Sequence, residues 1–137
     1  MEEDDPMHAQ REVEATLYRF ARGFDEDDFG VLADCMTVDA ELSSFEGTTS
    51  GRDAVLEMLR GRRSAAGADG MQPRHVLCNV EIELESDAAA RARAGYVLFS
   101  TGPTGIETVS TGTYVDELVR ESALWRVQRR RVNVDGR

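Results

Sequence analysis

The stretch QPRHVLCNVEIEL, residues 72–84, contains His75, one of only two histidines in the chain. An imidazole with its ordinary pKa of about 6.5 can accept a proton at neutral pH, and it works as a general base when an acceptor fixes its tautomer and stabilises the imidazolium. Apolar and polar residues alternate here as in a half-buried strand. The alternation predicts that Leu77 and Asn79 share the face of His75.

The absence of lysine narrows the available chemistry. All 16 basic residues are arginines, which excludes Schiff-base catalysis and a lysine-bearing phosphate loop because both need an ε-amino group. The histidines and cysteines are scattered, so the sequence predicts neither a metal site nor a cofactor. Cys35 and Cys78 are too few for a disulfide scaffold and are interpreted as reduced core thiols of a cytoplasmic protein.

The charge and hydropathy of the chain limit its partners. A net charge of −10 argues against nucleic acid or an anionic membrane, because binding to phosphate needs a basic surface. No apolar run approaches the ~20 residues that a membrane span needs. The acidic start MEEDDP is not a signal peptide, and residues 1–7 are predicted to form a flexible tail. The sequence therefore predicts neither nucleic acid nor a membrane as a partner.

The first half of the chain has helical periodicity. Apolar residues repeat at helical spacing over residues 8–24, and a short second helix, with Phe29 and Met36 in its apolar stripe, is predicted to follow. AELSSFEG predicts a short strand. SGRDAVLEMLRGRR predicts a third helix, with Ser50 and Asp53 placed as a capping box.

The second half has the period of a β-sheet. Four long strands are predicted at about 73–85, 89–101, 106–119 and 123–134, separated by turn signals such as Gly102-Pro103. Helices followed by an antiparallel meander predict one α+β domain over residues 8–137, in which the sheet folds over the helices.

Five segments resemble the SnoaL-like branch of the NTF2-like (cystatin-like) superfamily: FDEDDFGVLADCMTVDAEL, GRDAVLEML, PRHVLCNVEIE, GTYVDELVR and LWRVQRRRV. They occur in the order of that family and cover most of residues 11–134. The resemblance implies a cone, in which a curved antiparallel sheet wraps around a long helix and encloses a deep apolar pocket. It also implies a homodimer or homotrimer assembled through the convex face of the sheet.

The site pattern is similar to those of scytalone dehydratases and hexachlorocyclohexane dehydrochlorinases. This resemblance implies four catalytic residues: Asp25, His75, Tyr18 and Arg130. The chain departs from the dehydratase pattern at Phe24, where that type has a tyrosine, and at Ser100, where it has a second histidine. The Asp–His dyad is thus retained while the groups that recognise the substrate differ, and neither substrate is transferred.

Substrate-binding residues are predicted beside the dyad and along the inward faces of the middle strands: Phe24, Leu77, Asn79, Tyr96, Leu98, Ser100 and Tyr114. Each catalytic assignment has a simpler alternative. Asp25 could only cap the second helix, Tyr18 could be an ordinary half-buried tyrosine, and Arg130 could form a surface salt bridge. Asn79 could bond only to a neighbouring strand.

The hypothesis is a cofactor-independent enzyme acting on a small, mostly apolar molecule of aromatic or polyketide type. His75 would remove a proton, Asp25 would orient the imidazole, and Tyr18 or Arg130 would stabilise the developing negative charge. Dehydration is favoured over isomerisation or ring closure. Two alternatives stay open: a non-catalytic subunit with a plugged pocket, like the β-subunit of a ring-hydroxylating dioxygenase, and a binding protein with an open pocket.

Overall fold

The computed structural model describes residues 5–137. Within them the chain forms helices α1 (Pro6–Asp25), α2 (Phe29–Asp34) and α3 (Arg52–Ala66), and strands β1 (Met36–Ser44), β2 (Gly47–Ser50), β3 (Gln72–Leu84), β4 (Ala89–Gly102), β5 (Gly105–Glu121) and β6 (Leu124–Val134). The strands form one sheet in the order β2-β1-β6-β5-β4-β3. The predicted meander β3 to β6 is antiparallel throughout, and β1 pairs with β6 in parallel.

Helix α1 lies inside the curve of the sheet. It packs against β3 at one edge of the sheet and against β6 in the middle, and the sheet curves around it, so the predicted α+β cone is confirmed. Its buried residues recur every three or four positions, as at Val13, Leu17 and Phe20, because that spacing keeps them on one helix face. The hydroxyl of Thr16 donates to the carbonyl oxygen of Trp125 at 2.8 Å and ties the helix to β6.

The start of α1 corrects the predicted tail. Asp5 is the N-cap, and its Oδ1 accepts a hydrogen bond from the backbone N–H of Met7 at 3.0 Å. Pro6 takes the first helical position, where its missing N–H costs nothing. Residues 6 and 7 therefore belong to the helix, and residues 1–4 of the predicted tail lie outside the described part of the chain.

The start of α3 also differs from the prediction. The capping box of Ser50 and Asp53 is wrong, because Gly51 is the N-cap and no side chain caps this helix. Ser50 instead donates to Glu41 across the β1–β2 hairpin at 3.4 Å. The predicted second helix ends before Met36, which begins β1.

A β-bulge in β3 changes which side chains face α1. The register shifts between Cys78 and Glu81, and Asn79 has a φ of 51°. An extra residue in a strand moves every later side chain to the opposite face. The predicted continuous alternation is therefore wrong. Cys78, which precedes the bulge on the face opposite His75, is exposed, so its interpretation as a core thiol is also wrong.

A second bulge lies in β6. Leu118 pairs with Val127 and Glu117 pairs with Arg129, so Gln128 is left without a partner in the ladder. Arg130 consequently shares the inward face with Val127, and both are buried. Without the bulge, strand alternation would place Arg130 on the face of Gln128. Among residues 5–137, no helix combines the length and apolar character needed to cross a bilayer.

Candidate active site

Asp25 and His75 form a largely buried pair where the end of α1 meets the start of β3. Asp25 is the last residue of α1, and one carboxylate oxygen accepts the backbone N–H of His75 at 2.7 Å. The other oxygen lies 2.7 Å from Nδ1 of the same histidine. The predicted contact is confirmed. The helix-cap alternative for Asp25 is wrong, because Asp28 caps α2 by accepting the N–H of Val31 at 3.2 Å.

This geometry selects one tautomer of His75. A carboxylate can only accept, so Nδ1 carries the proton that it donates to Asp25, and Nε2 is left with its lone pair. The side chains of His75 and Asp25 are 12% and 5% exposed, respectively. The Phe24 ring packs nearly perpendicular to the imidazole, at a centroid distance of 5.2 Å and an interplanar angle of 85°. The imidazole is thus fixed in position with one basic nitrogen free.

Predicted pocket residues of β3 and β4 share the inward side of the sheet with His75: Leu77, Tyr96, Leu98 and Ser100. Leu98 pairs directly with His75 across the ladder. The Tyr96 ring centroid lies 6.4 Å from that of His75, and the Tyr96 hydroxyl is 2.9 Å from Oγ of Ser110. The base therefore faces an apolar wall that carries a few hydroxyl groups.

Below Tyr96 the cone is filled by a stacked column, formed by Tyr96, Tyr114, Arg130 and Phe20. The rings of Tyr96 and Tyr114 are 4.5 Å apart and nearly parallel, at 9°. The Arg130 guanidinium carbon lies 4.0 Å from the centroid of Tyr114 and 4.1 Å from that of Phe20. Burial raises the pKa of the Tyr114 hydroxyl, which stays protonated. The column closes the interior beneath the dyad.

Arg130 is paired inside the column. Its Nε and Nη2 donate to the two carboxylate oxygens of Asp116 at 2.9 and 3.0 Å. Burial alone would lower the pKa of Arg130, but the Asp116 carboxylate outweighs it and the pKa is raised. The predicted surface salt bridge is wrong in its location, since the pair is buried, and the guanidinium is already engaged by Asp116.

Two predicted site residues lie outside the cone. Tyr18 is 42% exposed and donates to Glu14 at 2.7 Å. It follows Leu17, which lies on the buried stripe, and one residue along a helix turns the side chain by about 100°. Asn79 occupies the exposed bulge of β3. Neither residue contacts His75, and the predicted pocket positions of both are wrong.

Several residues that shape the site were not predicted. Arg63 and Gln72 bind the last carbonyls of α1. Gly112 gives the Tyr96 ring its space, because a Cβ there would lie 2.8 Å from a ring carbon. A buried partner for Asp116 could have been predicted from the sequence. Asp116 shares a strand face with Tyr114, and a lone charge on an inward face needs a partner.

Two cavities in the described part of the chain lie away from Asp25 and His75. One open cavity of about 320 Å³ lies over β1, β5 and β6 and is lined by charged residues such as Glu117 and Arg129. A second, of about 580 Å³, lies between the start of α1 and the end of β3, at the opposite end of β3 from His75. Within residues 5–137, no three His, Cys, Asp or Glu side chains are grouped so as to hold a metal ion.

Solved structures share this fold over nearly the whole chain. Aln2 from a Streptomyces species has a TM-score of 0.86 and 26% identity, covering 96% of this chain and 93% of that chain. An NTF2-like protein with a cystatin-like fold from Novosphingobium aromaticivorans has a TM-score of 0.82 and 23% identity, covering 98% and 93%. A protein from the same species, assigned as a scytalone dehydratase, has a TM-score of 0.76 and 22% identity, covering 93% and 85%.

No protein with a curated description matches the chain at a significant level. The model of the SnoaL-like domain matches residues 5–131, which include all three helices and most of the sheet. The match spans both halves of the dyad and the filled interior beneath it. The chain belongs to the SnoaL-like domain family.

Proposed function

We propose that this protein is a cofactor-independent enzyme of the lyase or isomerase type, in which His75 removes a proton from a small apolar molecule. The single observation that supports this most strongly is the two-point contact between the Asp25 carboxylate and His75. One oxygen fixes the strand and the other fixes the imidazole. Nε2 is then a preorganised base whose conjugate acid is stabilised by the buried carboxylate.

The favoured reaction is dehydration. Nε2 of His75 takes a proton from carbon next to an activating carbonyl, the C–H electron pair forms the new double bond, and the bond to a hydroxyl leaving group breaks. The imidazolium can return its proton to that hydroxyl, which leaves as water. Assignment of a structural neighbour as a scytalone dehydratase supports this choice over isomerisation or ring closure.

Tyr96 takes the charge-stabilising role that was predicted for Tyr18 or Arg130. Tyr18 is exposed and Arg130 is paired with Asp116, whereas the Tyr96 hydroxyl lies beside Ser110 on the inward wall near His75. A hydroxyl aimed at a carbonyl oxygen stabilises an enolate as it forms.

The walls suggest a compact, flat substrate. Phe24, Leu77 and Leu98 are apolar, and the upper ring of the column is the floor, so an aromatic or polyketide ring would stack above Tyr96. The expected assembly remains a homodimer or homotrimer.

A second candidate function is a non-catalytic subunit of the NTF2-like type. The stacked column favours it, because side chains of the chain itself fill much of the cone. In such a protein the dyad would only join α1 to β3, and Nε2 of His75 would have no substrate to act on.

A nitrobenzisoxazole separates the two candidates. Loss of its ring proton to a base breaks the N–O bond and releases a coloured phenolate, without metal or cofactor. The wild type should exceed the buffer rate, and His75→Ala should lower kcat by about two to four orders of magnitude, the usual contribution of a general base. His8→Ala, near the start of α1, is the matched control and should keep the wild-type rate. Equal rates for the wild type and His75→Ala, with both folded, would overturn the enzymatic proposal.

A further inference from the structure

Asp25 carries its charge at an unfavourable place. It is the last residue of α1, a helix of 20 residues. The carbonyl groups at the C-terminus of a helix give that end a partial negative charge, which repels a carboxylate. The burial of Asp25 strengthens this conflict, because few water molecules can reach it. An ionised Asp25 therefore needs a compensating group at the end of α1.

Arg63 supplies that group from the last turn of α3. Its Nε donates to the carbonyl oxygen of Phe24 at 2.9 Å, and its Nη2 donates to the carbonyl oxygen of Asp25 at 3.2 Å. Arginine near a helix C-terminus both satisfies the free carbonyls and offsets their partial charge. Nε2 of Gln72 completes the cap by donating to the carbonyl oxygens of Asp25 and Pro73, each at 2.8 Å.

Gly67 makes room for this arrangement. A Cβ at position 67 would collide with Nη1 of Arg63. The φ of Gly67 is −95°, which any residue can adopt, so the absence of a side chain is needed for space and not for backbone conformation. The end of α3 is thus shaped to hold the Arg63 guanidinium against the end of α1.

We infer that Arg63 is a positioning residue for the dyad, an inference that rests on the proposed function of His75. Arg63 holds the last turn of α1, that turn fixes the Asp25 carboxylate, and the carboxylate holds the proton of His75 on Nδ1. Loss of the Arg63 contacts lets the last turn of α1 move, and this movement weakens the hydrogen bond between the Asp25 carboxylate and Nδ1 of His75. Nδ1 then exchanges its proton with Nε2, and the base is blocked in part of the molecules.

The tautomer of His75 can be measured without any substrate. In a His8→Gln background His75 is the only histidine, and ¹⁵N NMR of the imidazole at alkaline pH reports which nitrogen carries the proton. Arg63→Gln removes the charged guanidinium with its hydrogen-bond donors. Gly67→Ala keeps the guanidinium but displaces it from the end of α1. Arg63→Lys keeps the charge alone. Arg62→Gln, in the neighbouring and exposed position, is the matched control.

The Nδ1–H form should dominate in the parent and in the control. The fraction of this form should fall below half in Arg63→Gln and Gly67→Ala. Arg63→Lys should lie between the parent and these two variants. Turnover of the nitrobenzisoxazole should fall in the same order, by about tenfold to a hundredfold in kcat with little change in KM, since the base is misplaced and the walls are intact. A purely structural role would lower the unfolding temperature and leave the tautomer of the folded protein unchanged.

Two outcomes overturn the inference and one separates it from the proposed function. Unchanged tautomer populations in both Arg63→Gln and Gly67→Ala refute positioning, and if one of these variants does not fold, the other decides. A control variant that shifts the tautomer as much as Arg63→Gln also refutes it. If the tautomer shifts as expected but His75→Ala turns over the probe like the wild type, positioning stands and the enzymatic proposal fails.

Discussion

Replacing Asp116 by alanine should strongly destabilise the protein, because it leaves the buried Arg130 guanidinium without its carboxylate. The two side chains, Arg130 and Asp116, are 5% and 2% exposed, and their two hydrogen bonds measure 2.9 and 3.0 Å. Removing one member of a buried ion pair costs about 3–5 kcal/mol, since the remaining charge stays desolvated. For a chain of this length, that loss corresponds to a fall in Tm of about 10–20 °C.

Thermal unfolding followed by circular dichroism measures this loss, and two further variants make the result specific. Glu46→Ala breaks the exposed Arg62–Glu46 pair, whose atoms are 3.6 Å apart and whose side chains are 41% and 64% exposed. A surface pair is worth at most about 1 kcal/mol, so its Tm should hardly move. Combining Asp116→Leu with Arg130→Met replaces the ion pair by apolar groups and should recover most of the stability.

If Asp116→Ala unfolds at the same temperature as Glu46→Ala, the reasoning is refuted. The column would then be held by the packing of its rings, and the charge of Arg130 would be satisfied by water. A double variant less stable than Asp116→Ala would show instead that the ion pair itself, and not the stranded charge, dominates the energetics of the interior.

Asp25→Asn should stay folded and lower the probe kcat by about a hundredfold or more, since an amide cannot stabilise the imidazolium; an unchanged kcat contradicts the orienting role. Tyr18→Phe should keep kcat within about twofold, as a surface change does, and a large loss would bring the exposed hydroxyl into the site. A thiol reagent should modify exposed Cys78 quickly and Cys35 only on unfolding, because burial raises the pKa of Cys35 and shields it; equal rates count against this. Elemental analysis should find no stoichiometric zinc or iron, and a metal lost in His75→Ala would overturn the cofactor-independent mechanism.

Periodicity predicted the elements of this fold well. The stripe of α1 and the alternation in the four long strands depend on burial of one face, which leaves a direct trace in the order of residues. The contact between Asp25 and His75 came from resemblance to a family, because 50 positions separate the two residues and no local pattern connects them.

Side-chain directions were predicted less well, and the bulges are the reason. One extra residue at Asn79 turned that amide outward, and one at Gln128 turned Arg130 inward. Strand periodicity assumes an unbroken register, so it fails beyond such a point. The asparagine at position 79 is only a weak sequence signal of the bulge. Asparagine tolerates the positive φ found there better than most residues, but it does not require it. The contacts of Arg63 depend on how α3 packs on α1 and leave no sequence pattern.

The parallel pairing of β1 with β6 has a consequence for biosynthesis. The last strand of the domain to be synthesised, β6, lies in the middle of the sheet between β1 and β5, and Val127 of β6 pairs with Met36 of β1. Until β6 emerges, the hairpin of β1 and β2 has no connection to the meander, and α1 has only part of its apolar groove. We expect this domain to remain incompletely folded until β6 has been synthesised, with apolar surface open to chaperones, and to close its core only when β6 inserts between β1 and β5.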